Sequence, residues 1–208
     1  TYTGEPATLS TSAGFTEFAT FSPVDTGAGG TGPHTLAVFW HRATSSGMGA
    51  PTVADSGNHQ AAQILTFTGC ITTGDPWDVV TSTTAASSTS VSWATGLTTT
   101  VTDTYCVGIV GHGIDGLSSA QCSSFANSNL TGVAEITDQG TAVGAGGGFG
   151  ACGGSLATAG AIGTFTATLT ATSKQTLFAV ALKSPTSSGG ASAKGHYYRR
   201  LLGMHGVN

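Results

Sequence analysis

Charged residues are scarce in this chain. Asp, Glu, Lys and Arg together make up 8% of the 208 residues, against about 25% in an average globular domain. Disordered chains are usually rich in charge and poor in aromatic residues, whereas this one has 9 Phe, 4 Tyr and 3 Trp. The composition therefore predicts a folded protein with a neutral, hydroxyl-rich surface.

The shortage of charge also bears on association. A free monomer with so few charges is poorly protected against contact with its own copies. Small neutral side chains suit close packing against neighbouring subunits. We therefore expect the protein to work inside an assembly and to self-associate.

Two classes of partner are not expected. No apolar run reaches the ~18 residues that a membrane-spanning helix needs, so we expect no membrane insertion. Three of the six basic residues, Lys194, Arg199 and Arg200, lie at the C-terminal end, whereas all ten acidic residues lie at or before Asp138. The acidic body of the chain should repel nucleic acid, and no nucleic-acid partner is expected.

Catalytic and cofactor motifs are missing or incomplete. There is no GxSxG nucleophile elbow. Residues 148–153 match the dinucleotide pattern GxGxxG, but no acidic residue follows Asp138 to bind a ribose, so we interpret them as a glycine loop. His112 and Asp115, in a serine-rich region, leave a hydrolase as a remote alternative. We expect no catalytic residues, no enzymatic activity and no cofactor.

No metal-binding motif is apparent. The histidines and aspartates lack the spacing of a zinc site and the alternating carboxylates of a calcium loop, so no metal is predicted. The residues considered are His34, His41, His59, His112, Asp55, Asp75, Asp78 and Asp103.

The four cysteines form no CxxC pair. Cys106 lies in an apolar strand pattern, where a buried free thiol is the usual state. Cys122 and Cys152 lie in segments that resemble loops, and they are the expected pair if a disulfide forms. Free thiols remain the alternative, because the redox compartment is unknown.

Short strand patterns separated by Gly, Pro, Asn and Asp turns make up the body of the chain. No helix of ten or more residues is indicated, and residues 112–155 are interpreted as a long irregular region with one short element at 132–137. The pattern predicts an all-β fold, an antiparallel β-sandwich that is jelly-roll-like. The strands are expected at 15–21, 34–42, 60–68, 91–93, 104–111, 163–172 and 176–183, with 81–89 as a linker.

Three regions are predicted along the chain. Residues 1–185 form the β-sandwich domain, residues 186–192 a flexible linker, and residues 193–208 a C-terminal docking arm. A frayed terminus is the alternative for the arm. The residues expected to make assembly contacts there are Tyr197, Tyr198, Arg199, Arg200, Leu201 and Leu202.

Trp77 follows a Gly-Asp-Pro turn and precedes Asp78. We expect its indole to cap one end of the sandwich, with its N–H bonded locally. The alternative is an exposed ligand platform on which a host-surface glycan stacks.

Several of these motifs together resemble the β-sandwich structural proteins of tailed bacteriophages. An apolar strand ends in a Phe-Thr-Gly corner at 67–69, and a Gly-Asp-Pro-Trp-Asp turn follows at 74–78. A Thr-rich strand leads into an apolar one at 98–110, and a Thr-rich pair at 159–183 closes the pattern. Cys70, directly after the corner, departs from it.

The resemblance implies a non-enzymatic component of a virion: a surface decoration protein of the capsid, or a tail or fibre protein. Its partners would be other virion proteins, and its location the extracellular particle after assembly in the host cytoplasm. The resemblance carries over no catalytic residues. The alternative function is a carbohydrate- or receptor-binding β-sandwich module.

Overall fold

The computed structural model describes residues 14–20, 34–45, 61–93, 96–116, 120–142 and 146–185. These ranges contain eight β-strands and no helix, and none of them provides an apolar helix of membrane-spanning length. The predicted all-β, antiparallel class is therefore confirmed. The predicted linker and docking arm lie outside the described residues. The strands are β1 Thr16–Thr20, β2 Ala37–Trp40, β3 Trp77–Trp93, β4 Thr104–His112, β5 Cys122–Ala126, β6 Thr131–Thr141, β7 Gly147–Leu156 and β8 Phe165–Lys183.

The strands form a six-stranded sheet and a two-stranded sheet. The large sheet has the order β3-β8-β4-β7-β6, and β5 pairs with β8 beside this path. All pairings are antiparallel, and β1 and β2 form the small sheet. The last of the described strands, β8, is thus paired with three others, β3, β4 and β5.

Two strands are much longer than predicted. β3 has 17 residues and includes the expected linker 81–89, while β8 has 19 residues and joins two expected strands. The β-branched threonines of these stretches suit an extended backbone with one face exposed. Strict alternation of apolar residues and threonines at 163–172 predicts one buried face. It holds over residues 165–170, where Phe165, Ala167 and Leu169 are buried and the intervening threonines are exposed, but Ala171 is exposed as well.

The two halves of β8 share one hydrophobic core. The first half carries Phe165, which stacks on Trp93 with ring centroids 5.4 Å apart. The indole N–H of Trp93 donates to the carbonyl oxygen of Phe178, in the second half of β8, at 3.1 Å. A Cβ at Gly108 would lie 2.7 Å from the Trp93 ring, so this position leaves room for the indole.

The opposite face of β4 and β8 is covered as well. Val107, Phe178 and Val180 form the centre of a second cluster, against which Phe18 and Phe67 pack, together with other half-buried side chains. The sequence of a strand that is buried on both faces is a nearly continuous run of apolar residues. This explains the sequence TLFAVALK at 176–183.

The prediction of a core strand at 60–68 was wrong. Residues 61–68 pair with no strand, and their side chains alternate between half-buried and exposed, with Ile64 44% exposed. The segment lies against the face of the sheet that carries Val107 and Phe178, which we call the outer face. The ring centroids of Phe67 and Tyr105 lie 5.9 Å apart there. The exposure of its side chains alternates because the segment packs on a face of the sheet without pairing with any described strand.

The irregular region predicted at 112–155 was also wrong, because it contains β5, β6 and β7. The glycine-rich run that was interpreted as a loop is β7, a strand hydrogen-bonded on both sides. A Cβ at Gly153 would lie 2.7 Å from the ring of Tyr105. Gly153 therefore leaves room for the Tyr105 ring, whereas the atom nearest to a Cβ at Gly148 would be the backbone oxygen of Gln139.

Asp78 fastens the start of β3 to the loop before β4. Its carboxylate accepts hydrogen bonds from the backbone N–H of Thr100 at 2.5 Å, the Thr100 hydroxyl at 2.6 Å and the N–H of Val101 at 3.3 Å. Burial raises the pKa of Asp78, but these hydrogen bonds outweigh it, and the net pKa is lowered.

We predict that Asp78→Asn lowers the free energy of unfolding by roughly 1 kcal/mol at pH 7, because hydrogen bonds to a charged acceptor are the stronger ones. A carboxylate with a lowered folded-state pKa stabilises above its unfolded pKa and loses this contribution as the pH falls. The difference from the unaltered chain should be full above about pH 5 and shrink below the unfolded value of about 3.9. Urea unfolding at several pH values measures it.

The matched control is Asp75→Asn, since Asp75 is an exposed turn residue three positions away. It should change stability by less than about 0.5 kcal/mol at every pH. Equal effects of the two substitutions, or a loss at Asp78 that does not depend on pH, would contradict the assignment.

Candidate functional site

Three side chains with metal-ligand chemistry meet inside the core. One ligand atom each from His112, Cys122 and Asp138 lies within 4.8 Å of the other two. The exposed fractions of these residues are 0%, 2% and 2%. No other group of three or more His, Cys, Asp or Glu residues in the described ranges is so placed. We call these three residues the buried cluster.

The sheet register places two of the three on one face. Asp138 on β6 pairs with Gly150 on β7, and His112 on β4 pairs with Gly148 on β7. Paired residues of antiparallel strands share a face of the sheet. The β6 and β4 backbones lie about 9–10 Å apart, because β7 runs between them.

The glycines of β7 let the side chains approach across this distance. A Cβ at Gly148 would lie 2.9 Å from Cε1 of His112, and a Cβ at Gly150 would lie 2.6 Å from Sγ of Cys122. Both distances are too short for a real Cβ. The space above β7 is therefore taken by the imidazole and the thiol.

The third residue comes from β5. Cys122 pairs with Leu169 on β8, and its backbone N–H donates to Oδ2 of Asp138 at 2.6 Å. This hydrogen bond ties β5 to β6, which are not adjacent strands of the sheet. Asp138 thus closes the core at this end.

Two polar atoms of the buried cluster have no hydrogen-bond partner, Nε2 of His112 and Oδ1 of Asp138. The backbone N–H of Ile114 donates to Nδ1 of His112 at 3.3 Å, so in the neutral ring the proton lies on Nε2. An unsatisfied buried polar group costs about 1–3 kcal/mol. The buried cluster therefore has unused capacity to bind a ligand.

Burial shifts the protonation of all three residues. It lowers the pKa of His112 to about 4. It raises the pKa of Asp138, although hydrogen bonds from two backbone N–H groups partly offset this increase. It also raises the pKa of the Cys122 thiol, as does the charge of Asp138. Imidazole and thiol are therefore both neutral at pH 7 when the buried cluster binds nothing.

Cys, His and Asp are also the residue types of nucleophilic catalysis, but a reactive thiol needs thiolate character and access. Cys122 has neither, because its pKa is raised and it is 2% exposed. Asp115, which the sequence had paired with His112 as a hydrolase alternative, is exposed, whereas His112 is fully buried. The two do not form a common site.

The expected disulfide between Cys122 and Cys152 is absent from the structure, in which all four cysteines are free. The expectation rested on loop positions, but Cys122 begins β5 and Cys152 lies within β7. Burial raises the pKa of Cys152 to about 12. Both residues behave as core side chains, which matches the free-thiol alternative.

Trp77, the other sequence-derived site residue within the described ranges, packs in an aromatic cluster. Its ring lies 4.4 Å from that of Phe18 and 4.9 Å from that of Trp40, as measured between centroids. The indole is half-buried and packs against the outer face of the sheet. The six residues expected to make assembly contacts, from Tyr197 to Leu202, lie outside the described residues.

Sequence reasoning missed the buried cluster. Its members come from three strands and show no motif spacing, and Asp138 was used only as the last acidic residue of the chain. One signal was present: His112 directly follows the apolar strand 104–111, where an ionisable residue needs a partner.

Comparisons of the chain with protein-family models, with curated protein sequences and with solved structures found no match.

Proposed function

We propose that this chain is a non-enzymatic structural component of a bacteriophage virion, a surface decoration protein or a tail or fibre protein. In this proposal the body is a β-sandwich of jelly-roll type. Residues 193–208 anchor it to other virion proteins, and the body contacts neighbouring copies. The support comes from the sheet edge, the composition and the resemblance at 67–69 and 74–78.

The sandwich form is supported by the shared core. Phe165 and Leu177, from the two halves of β8, belong to the same hydrophobic core. Val91 of β3 and Cys106 of β4 belong to it as well. One sheet whose halves face each other across a core has the layered form of a sandwich.

The observation that carries the proposal is the edge formed by β3. Within the described strands, β3 pairs only with β8, so its other side is a free edge of 17 residues. Natural proteins usually protect such edges with lysine, proline or inward-pointing charges. Residues 79–93 contain no charged residue and no proline. Register shifts interrupt the pairing of β3 between residues 77 and 79, 85 and 88, and 88 and 90, whereas residues 79–85 pair regularly.

An edge of this kind fits a subunit better than a free monomer. Most side chains of β3 between Thr81 and Ser90 are hydroxyl-bearing or small, and most are exposed. Such side chains let a neighbouring strand approach closely. Strand addition to an exposed edge is a common mode of protein association.

The alternative of a glycan-binding module has less support. Its proposed platform was Trp77, whose ring is in contact with the rings of Phe18 and Trp40. No other observation in the described ranges favours it.

We predict that the full chain self-associates through β3. The double substitution Ser82→Lys and Thr84→Lys adds two charges to one face of this edge, and should shift the protein to monomer by repulsion between edges. Sedimentation velocity over a concentration series measures the change.

The matched control is Thr166→Lys with Thr168→Lys, two exposed positions on the central strand β8. It adds the same charge and should leave association intact. A monomeric unaltered chain at high concentration would contradict the prediction, as would equal dissociation of both variants.

We predict further that deleting residues 194–208 abolishes incorporation into the parent virion without unfolding the body. The last described contact before the linker, from the Ser184 hydroxyl to the carbonyl oxygen of Asp103 at 2.6 Å, is retained in this truncation. Incorporation is measured as the ratio of this protein to the major capsid protein in purified particles, and folding by thermal unfolding of the truncated chain.

A chain whose last fifteen residues are replaced by Gly and Ser is the control for length, and it should also fail to incorporate. Normal incorporation of either variant would remove the arm from the proposal.

A further inference from the structure

We propose that His112, Cys122 and Asp138 form a binding site for a divalent transition-metal ion of the zinc type, which joins β4, β5 and β6 inside the core. This site goes beyond the structural role proposed above and does not depend on it. Its support lies in donor chemistry, unpaired atoms, the proximity of the three side chains and charge.

The donor set matches the ion. Zinc takes imidazole nitrogen, thiolate sulfur and carboxylate oxygen at about 2.0–2.3 Å, in tetrahedral geometry. Two ligands of one such ion lie about 3.4–3.8 Å apart. The three ligand atoms lie within 4.8 Å of one another. Side-chain rotations that shorten the distances between them by about 1 Å therefore bring them to the spacing of zinc ligands.

The unpaired atoms are the ones that coordination would use. Nε2 of His112 and Oδ1 of Asp138 are buried without a partner. Oδ2 of Asp138 keeps its hydrogen bond from the N–H of Cys122. That bond orients the carboxylate, as supporting hydrogen bonds do around metal ligands.

The proton balance is simple. Coordination through Nε2 moves the ring proton of His112 to Nδ1, which gives up the contact from Ile114. At 3.3 Å that contact is longer than an ordinary N–H hydrogen bond. Its loss still leaves the buried N–H of Ile114 without this acceptor, a cost of about 1–3 kcal/mol that coordination has to exceed. The Cys122 thiol releases its proton to solvent as the sulfur coordinates, and no electron is transferred.

The charge balance favours a dication. One thiolate, one carboxylate and one neutral imidazole carry a charge of −2, so the ion makes the site neutral within the apolar core. A water molecule completes the tetrahedron, because a second thiolate from Cys152 would leave the site charged, which burial penalises. The space above Gly148 and Gly150 is where the imidazole and thiol meet.

The test uses the full chain, freed of metal by a chelator, and two probes, Co²⁺ and Zn²⁺. Cobalt should bind with a stoichiometry of one and produce a thiolate-to-cobalt charge-transfer band together with the visible bands of a tetrahedral site. Zinc should displace it. At about a hundredfold excess over its Kd, zinc should raise the Tm by roughly 5–10 °C.

Two near-isosteric variants locate the site, Cys122→Ser and Asp138→Asn. Each should weaken Zn²⁺ binding by more than about 100-fold, beyond the loss that follows from removing a supporting residue. The serine variant should also lack the charge-transfer band. The control is Cys106→Ser, another buried thiol of the same core, which should bind as the unaltered chain does.

Absence of the charge-transfer band in the unaltered chain overturns the proposal, and this result needs no variant to fold. So does metal binding that survives both substitutions, which would place the ion elsewhere in the chain. A Tm that is unchanged by zinc in the unaltered chain also overturns it, because an ion joining three strands must stabilise the folded state.

Discussion

The stacking of Trp93 on Phe165, above the glycine at position 108, is the contact on which the rest of the structure depends. The two rings lie 5.4 Å apart, and the indole N–H reaches the carbonyl oxygen of Phe178. Phe165 and Phe178 belong to opposite halves of one strand, so the contact holds the first half of β8 against the second. Trp93 is 2% exposed and Phe165 0%, and burial of two such rings is among the larger stabilising terms of a core.

The position of the buried cluster follows from this closure. β5 pairs with the first half of β8, whereas β4 pairs with the second half and carries β7 and β6 beyond it. Only when the halves of β8 face each other can Cys122 of β5 reach Asp138 of β6. The buried cluster and the Trp93–Phe165 stack therefore fasten the same fold at two places. The proposed assembly surface is on β3, the strand that ends at Trp93, and its mostly exposed part, residues 81–90, lies outside both.

Sequence patterns predicted the parts of this fold whose burial is decided locally. The run at 176–183 was predicted as a strand, and one at 163–172 was predicted from its alternation of apolar residues with threonines. The class of fold follows from such segments. That the two segments form one continuous strand could not be predicted from them, because their shared core depends on Trp93, more than 70 positions away in the sequence.

β7 and the buried cluster could not be predicted for a related reason. Strand propensity largely measures how side chains pack on neighbouring strands, and the glycines of β7 contribute none. Their presence is explained by atoms on other strands: the side chains of Tyr105 at Gly153 and Cys122 at Gly150, and the backbone oxygen of Gln139 with the His112 ring at Gly148. Likewise the ligand set of the buried cluster has no spacing, because each member comes from a different strand.

The central claim is that the halves of β8 form one cooperative unit closed by Trp93 and Phe165. Native-state hydrogen exchange of the backbone amides of β8 tests it most directly. The slowest-exchanging amides in 165–173 and in 175–183 should open with the same free energy, that of global unfolding. Opening of the first half at a markedly lower free energy than the second would contradict the claim.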